Sequence, residues 1–296
     1  MYPKQWDDFR LFLAVARTGK LISAGKQLGI DHTTVARRLT AFEAYIGTRL
    51  IDRSPRGATL TQAGQEMVGH AERIETEVEA AAARLGHHKA FVSGNVRLAT
   101  PEAFGTFLVA PNVSLLHARH PQLRLELVPE SRLVNLVNRE ADIAVTMTQP
   151  PRGRLVGRRL TDYRIGIYAS VEFLAQNGPI NTISDISKYP FIWWIDELID
   201  VPELRVLDDV HAATRPVFFS TSLAAQRNAL AGGLGLGMLH TFEADLDPRL
   251  VRVLADEVEV QRSYWMVFNE DQKNSPRVRA VADFLNEIIE RNRARF

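Results

Sequence analysis

The N-terminal part of the chain places its apolar residues with the period of a helix. Phe9, Phe12, Leu13 and Ala16 recur at helical spacing. This pattern predicts a first helix that buries one side and ends near Gly19, where the backbone can turn.

A second and a third helix are predicted on either side of a glycine turn. Ser23 is expected to cap the second helix, which runs to Leu28, and Gly29 supplies the turn. Asp31 is a suitable N-cap for the third helix, because its carboxylate can accept from the first free backbone amides. The apolar positions of the third helix follow a spacing of four, three and four residues and define its buried face: Val35, Leu39, Phe42 and Ile46.

The exposed face of the third helix carries hydroxyl and guanidinium groups, which suit base edges and phosphates. Beyond Gly47 the pattern predicts two short strands, at 50–51 and 58–60, joined by a basic turn at 52–57. This order of elements is typical of a winged helix-turn-helix, which places one helix in the major groove of DNA and a wing on the flanking backbone. The expected contacts to double-stranded DNA are His32, Thr33, Thr34 and Arg37 at the bases, and Arg38, Arg53, Pro55 and Arg56 at phosphates or the minor groove.

The charge of the chain is unevenly distributed, although the net charge of its 296 residues is only +1. Residues 1–60 contain ten Lys or Arg and five Asp or Glu. Such an excess of cations suits a phosphate backbone, but a small basic segment is equally compatible with solvated surface. The charge therefore supports DNA binding only together with the helix-turn-helix spacing.

A long helix is predicted after Thr61, which can cap it. Its apolar residues follow a heptad spacing with charged neighbours, and the resulting seam is too narrow for a globular core. We therefore expect the helix to pair two chains, which multiplies DNA affinity by linking two modules. The expected dimerisation residues are Met67, Ala71, Ile74, Val78, Ala81 and Leu85.

The last two-thirds of the chain alternates predicted strands and helices. Strands are expected at 96–100, 123–128 and 142–145, with helices from about Thr106 to Arg119 and from Val134 to Arg139. This alternation predicts a mainly parallel sheet with helices on its faces. Ligands of such sheets bind beyond the carboxyl ends of the strands.

The composition narrows the class of protein. The chain has no cysteine, which excludes disulfides and thiolate metal sites. No apolar run approaches the ~18–20 residues that span a bilayer, and the N-terminus lacks a signal-peptide pattern. We therefore expect a soluble, cytoplasmic protein without a membrane partner.

Enzymatic signatures are weak. The glycine-rich run at 232–237 follows a helical segment, so it predicts a helix end and a close-packed strand instead of a nucleotide-binding loop. The chain has no G-x-S-x-G, P-loop or H-E-x-x-H motif. The histidine pairs at 87–88 and at 117 and 120 fit solvated side chains better than metal ligands. We expect no catalytic activity, no cofactor and no metal.

Residues 6–88 resemble the DNA-binding domain and linker helix of LysR-type transcriptional regulators. The resemblance lies in WDDFRLFLAVARTG, AGKQLGIDHTTVARRLTAFEAYIGTRL and DRSPRGATLTQAG, in the order and spacing of the family. Such regulators commonly open the recognition helix with a Ser-Gln-Pro-Ala type run, whereas this chain has Asp31-His32-Thr33-Thr34, which changes the groups offered to the bases. The downstream segments GNVRLATPEAFGTFLVAPNVSLLHARHPQLRLEL, READIAV and FSTSLAAQRNALAGGLGLGML resemble the effector domain of the same family.

The resemblance implies a multi-domain α/β protein with an effector domain built like a periplasmic solute-binding protein. The implied domains are a winged helix-turn-helix at 1–61, a linker and dimerisation helix at 62–89, and an effector domain at 92–296. Its first subdomain would comprise 92–163 and 265–296, and its second 164–264. A small-molecule effector between the two lobes would modulate promoter binding or activation. Homodimers would assemble to a homotetramer. The implied effector contacts are Thr100, Pro101, Glu102, Ser131, Thr146, Trp194, Asp196, Thr221 and Ser222.

The residues of the implied effector site also fit other roles. Each Ser or Thr in it can instead cap a helix, and Glu102 in the expected anion-binding loop disfavours a carboxylate ligand.

Two other classes of protein stay open beside the effector-controlled regulator. One is a plain solute-binding protein, against which the N-terminal motif and the missing signal peptide argue. The other is a DNA-binding protein whose C-terminal domain serves assembly alone, and a metabolite screen for thermal shifts would decide between that and effector binding.

Overall fold

The computed structural model describes residues 6–54, 57–84, 92–129, 141–150, 155–198, 214–273 and 275–296. The chain forms two compact units, one of residues 1–90 with 274–276, the other of residues 91–273 with 277–296. Among the described residues, no helix is long and apolar enough to cross a membrane.

The first unit consists of helices and one hairpin: α1 (Trp6–Thr18), α2 (Leu21–Leu28), α3 (His32–Ile46), β1 (Ile51–Ser54), β2 (Gly57–Leu60) and α4 (Gln62–Arg84). Its core forms where the apolar faces of α1 and α3 meet, and Phe12, Val35 and Leu39 are fully buried there. Gly29 ends α2 in the left-handed conformation, which confirms the predicted turn. The prediction for Ser23 is wrong: α2 begins at Leu21 without a side-chain cap, and Ser23 lies inside it.

The hairpin is longer than the sequence predicts. β1 runs to Ser54, which pairs with Gly57, so the expected turn at 52–57 is wrong in extent. The charged residues 52 and 53 belong to a strand because ladder pairing continues opposite Thr59 and Ala58, and an exposed edge strand tolerates charge. The amide of Ala58 also donates to Gly19 O at 2.8 Å, which fixes the hairpin against the α1–α2 turn.

The start of α4 is bound to the hairpin. Thr61 caps the helix as predicted, since its hydroxyl accepts from the Gly64 amide at 3.0 Å. The same hydroxyl donates to Arg49 O at 2.8 Å. A methyl group at Gly64 would lie 2.0 Å from Leu50 O, so only glycine permits this approach of helix to strand.

The predicted dimerisation seam divides into two parts along α4. Ala71 is fully buried in the core of its own unit, which leaves it no surface for a second chain, and Met67 is half-buried against the same core. Val78 and Ala81, further along, are exposed. Ile74 is half-buried, and Leu85 lies outside the described residues.

The second unit is built on one sheet flanked by helices. Its strands are β3 (Gly94–Thr100), β4 (Leu123–Pro129), β5 (Ile143–Thr146), β6 (Leu155–Ser170), β7 (Phe191–Trp193), β8 (Pro216–Phe219), β9 (Leu236–His240), β10 (Leu250–Val253) and β11 (Val260–Asn269). Its α-helices are α5 (Glu102–Phe104), α6 (Ala110–Arg119), α7 (Val171–Asn177), α8 (Leu223–Ala231), α9 (Thr241–Ala244) and α10 (Pro276–Arg291). Short 3₁₀ turns cover Ile183–Lys188, Asp196–Leu198, Glu270–Gln272 and Arg293–Arg295.

Two groups of parallel strands are joined by two long antiparallel strands. The order is β4-β3-β5-β11-β6-β9-β7-β8, with β10 also paired to β6. β3 is parallel to β4 and β5 in the first lobe, and β7 is parallel to β8 and β9 in the second. β6 and β11 cross between the lobes, and their register shifts at Tyr264/Trp265. The parallel sheet that the sequence predicts therefore holds within each lobe, and the antiparallel crossing strands connect the two lobes.

The helix after β3 begins earlier than predicted, at Glu102 instead of near Thr106. It contains a π-helical segment, Gly105–Val109, in which the Ala110 amide donates to Gly105 O. Pro111 follows directly and lacks an amide proton, so the wider turn accommodates a residue that an α-helix interior excludes. The predicted helix at 134–139 lies outside the described residues.

Candidate nucleic-acid interface and inter-lobe site

The N-terminal end of α3 is exposed and fixed by its cap. Asp31 accepts from the Thr33 amide at 2.8 Å and also from the Thr33 hydroxyl, as the sequence predicts for an N-cap. These hydrogen bonds from the Thr33 hydroxyl and amide lower the pKa of Asp31. His32 and Thr33 are exposed and Thr34 is half-buried. Arg37, one turn further, is exposed and forms no ion pair with any residue that the structure describes.

Arg38 is turned inward, unlike Arg37. Its guanidinium donates to Asp8 Oδ1 at 2.9 Å and to Asp7 Oδ2 at 2.8 Å, which joins α3 to α1. Burial acts to lower the pKa of Arg38, but the hydrogen bonds to both carboxylates outweigh it, and the pKa is raised. Because this cation is neutralised within its own module, we do not retain Arg38 among the proposed phosphate contacts.

Arg53 connects the hairpin to α3. Its guanidinium donates to Thr40 Oγ1 at 2.9 Å and lies 3.5 Å from Glu43 Oε2. Glu43 in turn accepts from the amides of Leu50 and Ile51, both at 2.9 Å. The wing is therefore held at a fixed distance from the recognition helix. Pro55 and Arg56 lie outside the described residues.

A partly buried ion-pair cluster joins α1 to α4. Arg17 Nη2 lies 2.7 Å from Glu75 Oε2 and 3.4 Å from Glu72 Oε1. Burial acts to lower the pKa of Arg17, but hydrogen bonds to Glu75 and Glu72 reverse this and raise it. The linker helix therefore begins in rigid contact with the helix-turn-helix.

The end of β3 carries a buried hydroxyl. Thr100 is only 3% exposed, and its Oγ1 makes no hydrogen bond with any residue that the structure describes. A methyl group at Gly105 would lie 2.3 Å from this oxygen, so the glycine allows the π-helical segment to cover Thr100. Of the predicted effector contacts that follow β3, Pro101 and Glu102 are half-buried.

Glu102 reaches from the first lobe to the N-terminus of α8 in the second. Its carboxylate accepts from the Ser222 hydroxyl at 2.8 Å and from the amides of Leu223 and Ala224 at 2.7 and 3.3 Å. Ser222 is at the same time the N-cap of α8, since its hydroxyl accepts from the Ala225 amide at 3.3 Å. The structure therefore brings together the predicted residues Glu102 and Ser222, which are 120 positions apart.

The other predicted effector contacts lie at the expected strand ends. Thr146 ends β5, and its hydroxyl donates to Thr148 O at 2.8 Å. Trp194 directly follows β7 and is buried, and Thr221 is half-buried beside the cap of α8. Ser131 and the side chain of Asp196 lie outside what the structure describes. Among the described side chains, no group of three or more His, Asp or Glu is arranged to hold a metal ion.

A continuous series of aromatic rings, in stacked and edge-on contacts, packs along the crossing strands, and we call it the hinge ring stack. Its members are Phe104, Tyr264, Tyr163, His240, Phe242 and Phe296. Successive ring centroids lie 5.0, 4.0, 5.2, 5.5 and 5.1 Å apart. His240 is 4% exposed, neither ring nitrogen has a hydrogen-bond partner among the described residues, and burial lowers its pKa to about 3.

Comparison with known proteins agrees with both units. Residues 6–65 match the family model of the bacterial regulatory helix-turn-helix protein, lysR family, and residues 89–289 match the LysR substrate binding domain. The chain belongs to the LysR family of transcriptional regulators. It therefore combines a DNA-binding helix-turn-helix domain with an effector-binding domain.

Full-length relatives support this assignment. The HTH-type transcriptional regulator DmlR of Escherichia coli is 29% identical over 96% of this chain and 94% of its own length. An HTH-type transcriptional regulator of Xanthomonas campestris pv. campestris is 28% identical over 94% of this chain and 84% of its own length. The structure of CrgA, a LysR-type regulator from Neisseria meningitidis, superposes with a TM-score of 0.61 at 26% identity, covering 95% of this chain and 97% of that one.

Several residues that matter in this LysR-type regulator were not singled out from its sequence. Glu43 and Arg17 connect elements, and each is a charged residue with no local signal of its partner. Phe107 and Arg227 form a further contact between the lobes, with the guanidinium carbon 5.4 Å from the ring centroid. His240 lies in an apolar run that predicts a buried strand, and that burial was the only available signal.

Proposed function

We propose that this LysR-type regulator recognises a specific duplex DNA sequence through the N-terminal half of α3. His32, Thr33, Thr34 and Arg37 would contact bases, because they lie on the exposed start of the helix that a helix-turn-helix inserts in the major groove. Arg53 would contact the backbone from the wing, because it is exposed and its one described carboxylate neighbour lies as far as 3.5 Å away. Pro55 and Arg56, outside the described residues, are proposed as backbone contacts from the sequence alone. The observation that carries the proposal is the exposed guanidinium of Arg37, which forms no ion pair with the described residues, on a helix whose N-terminus is fixed by the Asp31 cap.

We infer that two chains act together on two half-sites. The exposed residues of the linker helix seam, Val78 and Ala81, are available to a second chain, whereas Ala71 is fully buried in its own unit. Paired recognition helices would meet half-sites about 34–36 Å apart. Dimers would assemble further to tetramers, and the site of action would be the cytoplasm, where the target DNA is. The protein would act through binding alone, without catalysis.

A small-molecule effector is proposed to bind between the two lobes and to bias the regulator between states of different DNA affinity. The strand ends that carry Thr100, Thr146 and Trp194 support this position, since ligands of such sheets bind beyond carboxyl ends. The buried, unpartnered hydroxyl of Thr100 is available to a ligand that displaces its cover.

The DNA proposal is tested with Arg37→Ala on a pool of DNA fragments. If Arg37 contacts a base, the variant loses about 1–3 kcal/mol at the preferred site and its preference at one position relaxes. Arg124→Ala is the matched control, since it removes one exposed cation from the other unit. Uniform weakening on all sequences would assign Arg37 to phosphate, and unchanged binding would contradict the proposed orientation of α3.

The effector proposal is tested by thermal unfolding against a metabolite collection. A ligand at 100 times its dissociation constant adds about 2.7 kcal/mol to the free energy of unfolding. A ligand found in this way must then change DNA affinity in the wild type and lose its effect in Thr100→Val. A complete screen without any shift would favour the assembly-only interpretation of the second unit.

A further inference from the structure

We propose that Glu102 is a built-in carboxylate latch that holds the two lobes of the effector domain together without any ligand. The latch consists of Glu102 in the first lobe and of Ser222, Leu223 and Ala224 in the second. It occupies the N-terminus of α8 with a side chain of the protein itself, so an anionic ligand has to displace Glu102 before it can use that position.

The geometry of the latch satisfies every group in it. The first amides of a helix have no partner within the helix and carry partial positive charge. At α8 the Ser222 hydroxyl accepts from the Ala225 amide, and the Glu102 carboxylate accepts from the two preceding amides, of Leu223 and Ala224. Glu102 Oε1 accepts from the Ser222 hydroxyl and the Ala224 amide, and Oε2 accepts from the Leu223 amide, so both oxygens of the carboxylate are engaged. Hydrogen bonds to a charged acceptor are stronger than neutral ones.

A second contact between the lobes, independent of the latch, lies one turn further along the same helix. The guanidinium of Arg227 stacks over the ring of Phe107, which the π-helical segment of the first lobe presents. Arg227 is held from behind by the carboxylates of Glu243 and Asp247, each at 2.9 Å. The helix therefore contacts the first lobe at two points, once through a carboxylate of the first lobe and once through a guanidinium of the helix. Both contacts stabilise the arrangement of the two lobes that the structure shows.

The latch also predicts which ligands the site rejects. A free carboxylate would lie beside the Glu102 carboxylate, and two like charges at close range repel. The inter-lobe site of the latched protein should therefore accept neutral ligands or hydrogen-bond donors in preference to anions. The latch itself requires no effector, so it stands even if the proposed effector does not exist.

The experiment measures the distance between the lobes in the full chain. The protein has no cysteine, so Ser114→Cys on α6 and Ala175→Cys on α7, both at exposed positions, introduce the only two labelling sites. Spin-labelled chains are diluted with unlabelled, cysteine-free protein, so that each assembly carries one labelled chain. Distances are recorded in wild type, in Glu102→Ala and in the control Glu290→Ala, which removes an exposed carboxylate of α10.

The expected result is a narrow distance distribution in wild type and in Glu290→Ala, and a longer, broader one in Glu102→Ala. Sodium acetate, which supplies the deleted carboxylate, should restore the narrow distribution in Glu102→Ala, whereas sodium chloride at equal ionic strength should not. A merely structural role of Glu102 would not give this acetate response. Phe107→Leu should broaden the distribution without responding to acetate, because it removes the other contact.

Two results would overturn the latch. One is an unchanged distribution in Glu102→Ala, and the other is an equal response of this variant to acetate and chloride. If Glu102→Ala does not fold, Glu102→Gln replaces it, because the amide keeps the size but cannot accept at both positions; a narrow distribution in Glu102→Gln would likewise overturn the proposal. No effector is added in any arm, so failure of the effector proposal leaves this test unaffected.

Discussion

Replacing His240 by Phe should change how the stability of the second unit depends on pH. The His240 ring is buried in the hinge ring stack between Tyr163 and Phe242, and burial lowers its pKa from 6.5 to about 3. In the unfolded chain the ring is free to take up a proton below pH 6.5. The folded state binds fewer protons between these two values, so stability falls as the pH is lowered through this window.

The magnitude follows from the unfolded pKa alone as long as the folded pKa lies well below the pH of measurement. Each pH unit below 6.5 costs about 1.4 kcal/mol, so His240 reduces the free energy of unfolding by about 2 kcal/mol at pH 5 and by almost nothing above pH 7. Burial raises the pKa of Glu243 to about 7, which favours folding as the pH falls through the same range. Since both proteins keep Glu243, only the difference between wild type and His240→Phe isolates the histidine.

The assay is urea unfolding of the full chain at pH 7, 6 and 5, followed by tryptophan fluorescence. Trp193 and Trp194 are buried in the second unit and report on its unfolding. The free energy of unfolding of His240→Phe minus that of wild type should increase by about 2 kcal/mol from pH 7 to pH 5. His117→Gln, at an exposed position of α6, should follow wild type. Parallel stability curves for wild type and His240→Phe would refute the reasoning, because they would mean that the folded ring is protonated as easily as the unfolded one.

Three further predictions concern the first unit. Arg17→Met removes the guanidinium that connects α1 to the carboxylates of Glu72 and Glu75 and should lower the free energy of unfolding by about 2 kcal/mol, measured by chemical denaturation of the full chain. Gly64→Ala forces a methyl group against Leu50 O and should cost about 1–3 kcal/mol in the same assay; an unchanged midpoint would mean that the hairpin yields without strain. Val78→Glu should raise the dimer dissociation constant at least roughly tenfold by sedimentation, as expected for about 1.4 kcal/mol, and an unchanged profile would show that the exposed seam is not an interface.

The ends of the DNA-binding helices could be predicted because they depend on residues a few positions away. Asp31 caps α3 through the amide two residues on, Gly29 ends α2 by its own backbone conformation, and Thr61 caps α4. The error at Ser23 has the same local origin, since a residue with cap propensity can also lie inside a helix when tertiary packing starts that helix three residues earlier.

Contacts between distant residues were not predictable from a single sequence. Arg38 had an outward position in the periodic pattern, yet Asp7, 31 residues earlier, turns its guanidinium inward. The spacing of Met67 and Ala71 fits a dimer seam and an intrachain core equally well, and only the position of α1 decides between them. The sequence alone shows that Glu102 is unsuited to an anion site, but only the fold shows that this carboxylate binds the N-terminus of α8.

The latch and the hinge ring stack begin on the same short helix. Glu102 and Phe104 are two residues apart on α5; one binds the N-terminus of α8 and the other packs edge-on against Tyr264 where the crossing strands shift register. A motion that withdraws Glu102 from α8 must therefore also move Phe104 against a stack of buried rings. Closely packed interiors do not deform continuously but exchange between discrete arrangements. Opening of the lobes is thus expected to be a two-state step, in which release of the carboxylate and repacking of the rings occur together, and that coupling is what would allow a small ligand between the lobes to act on the whole domain.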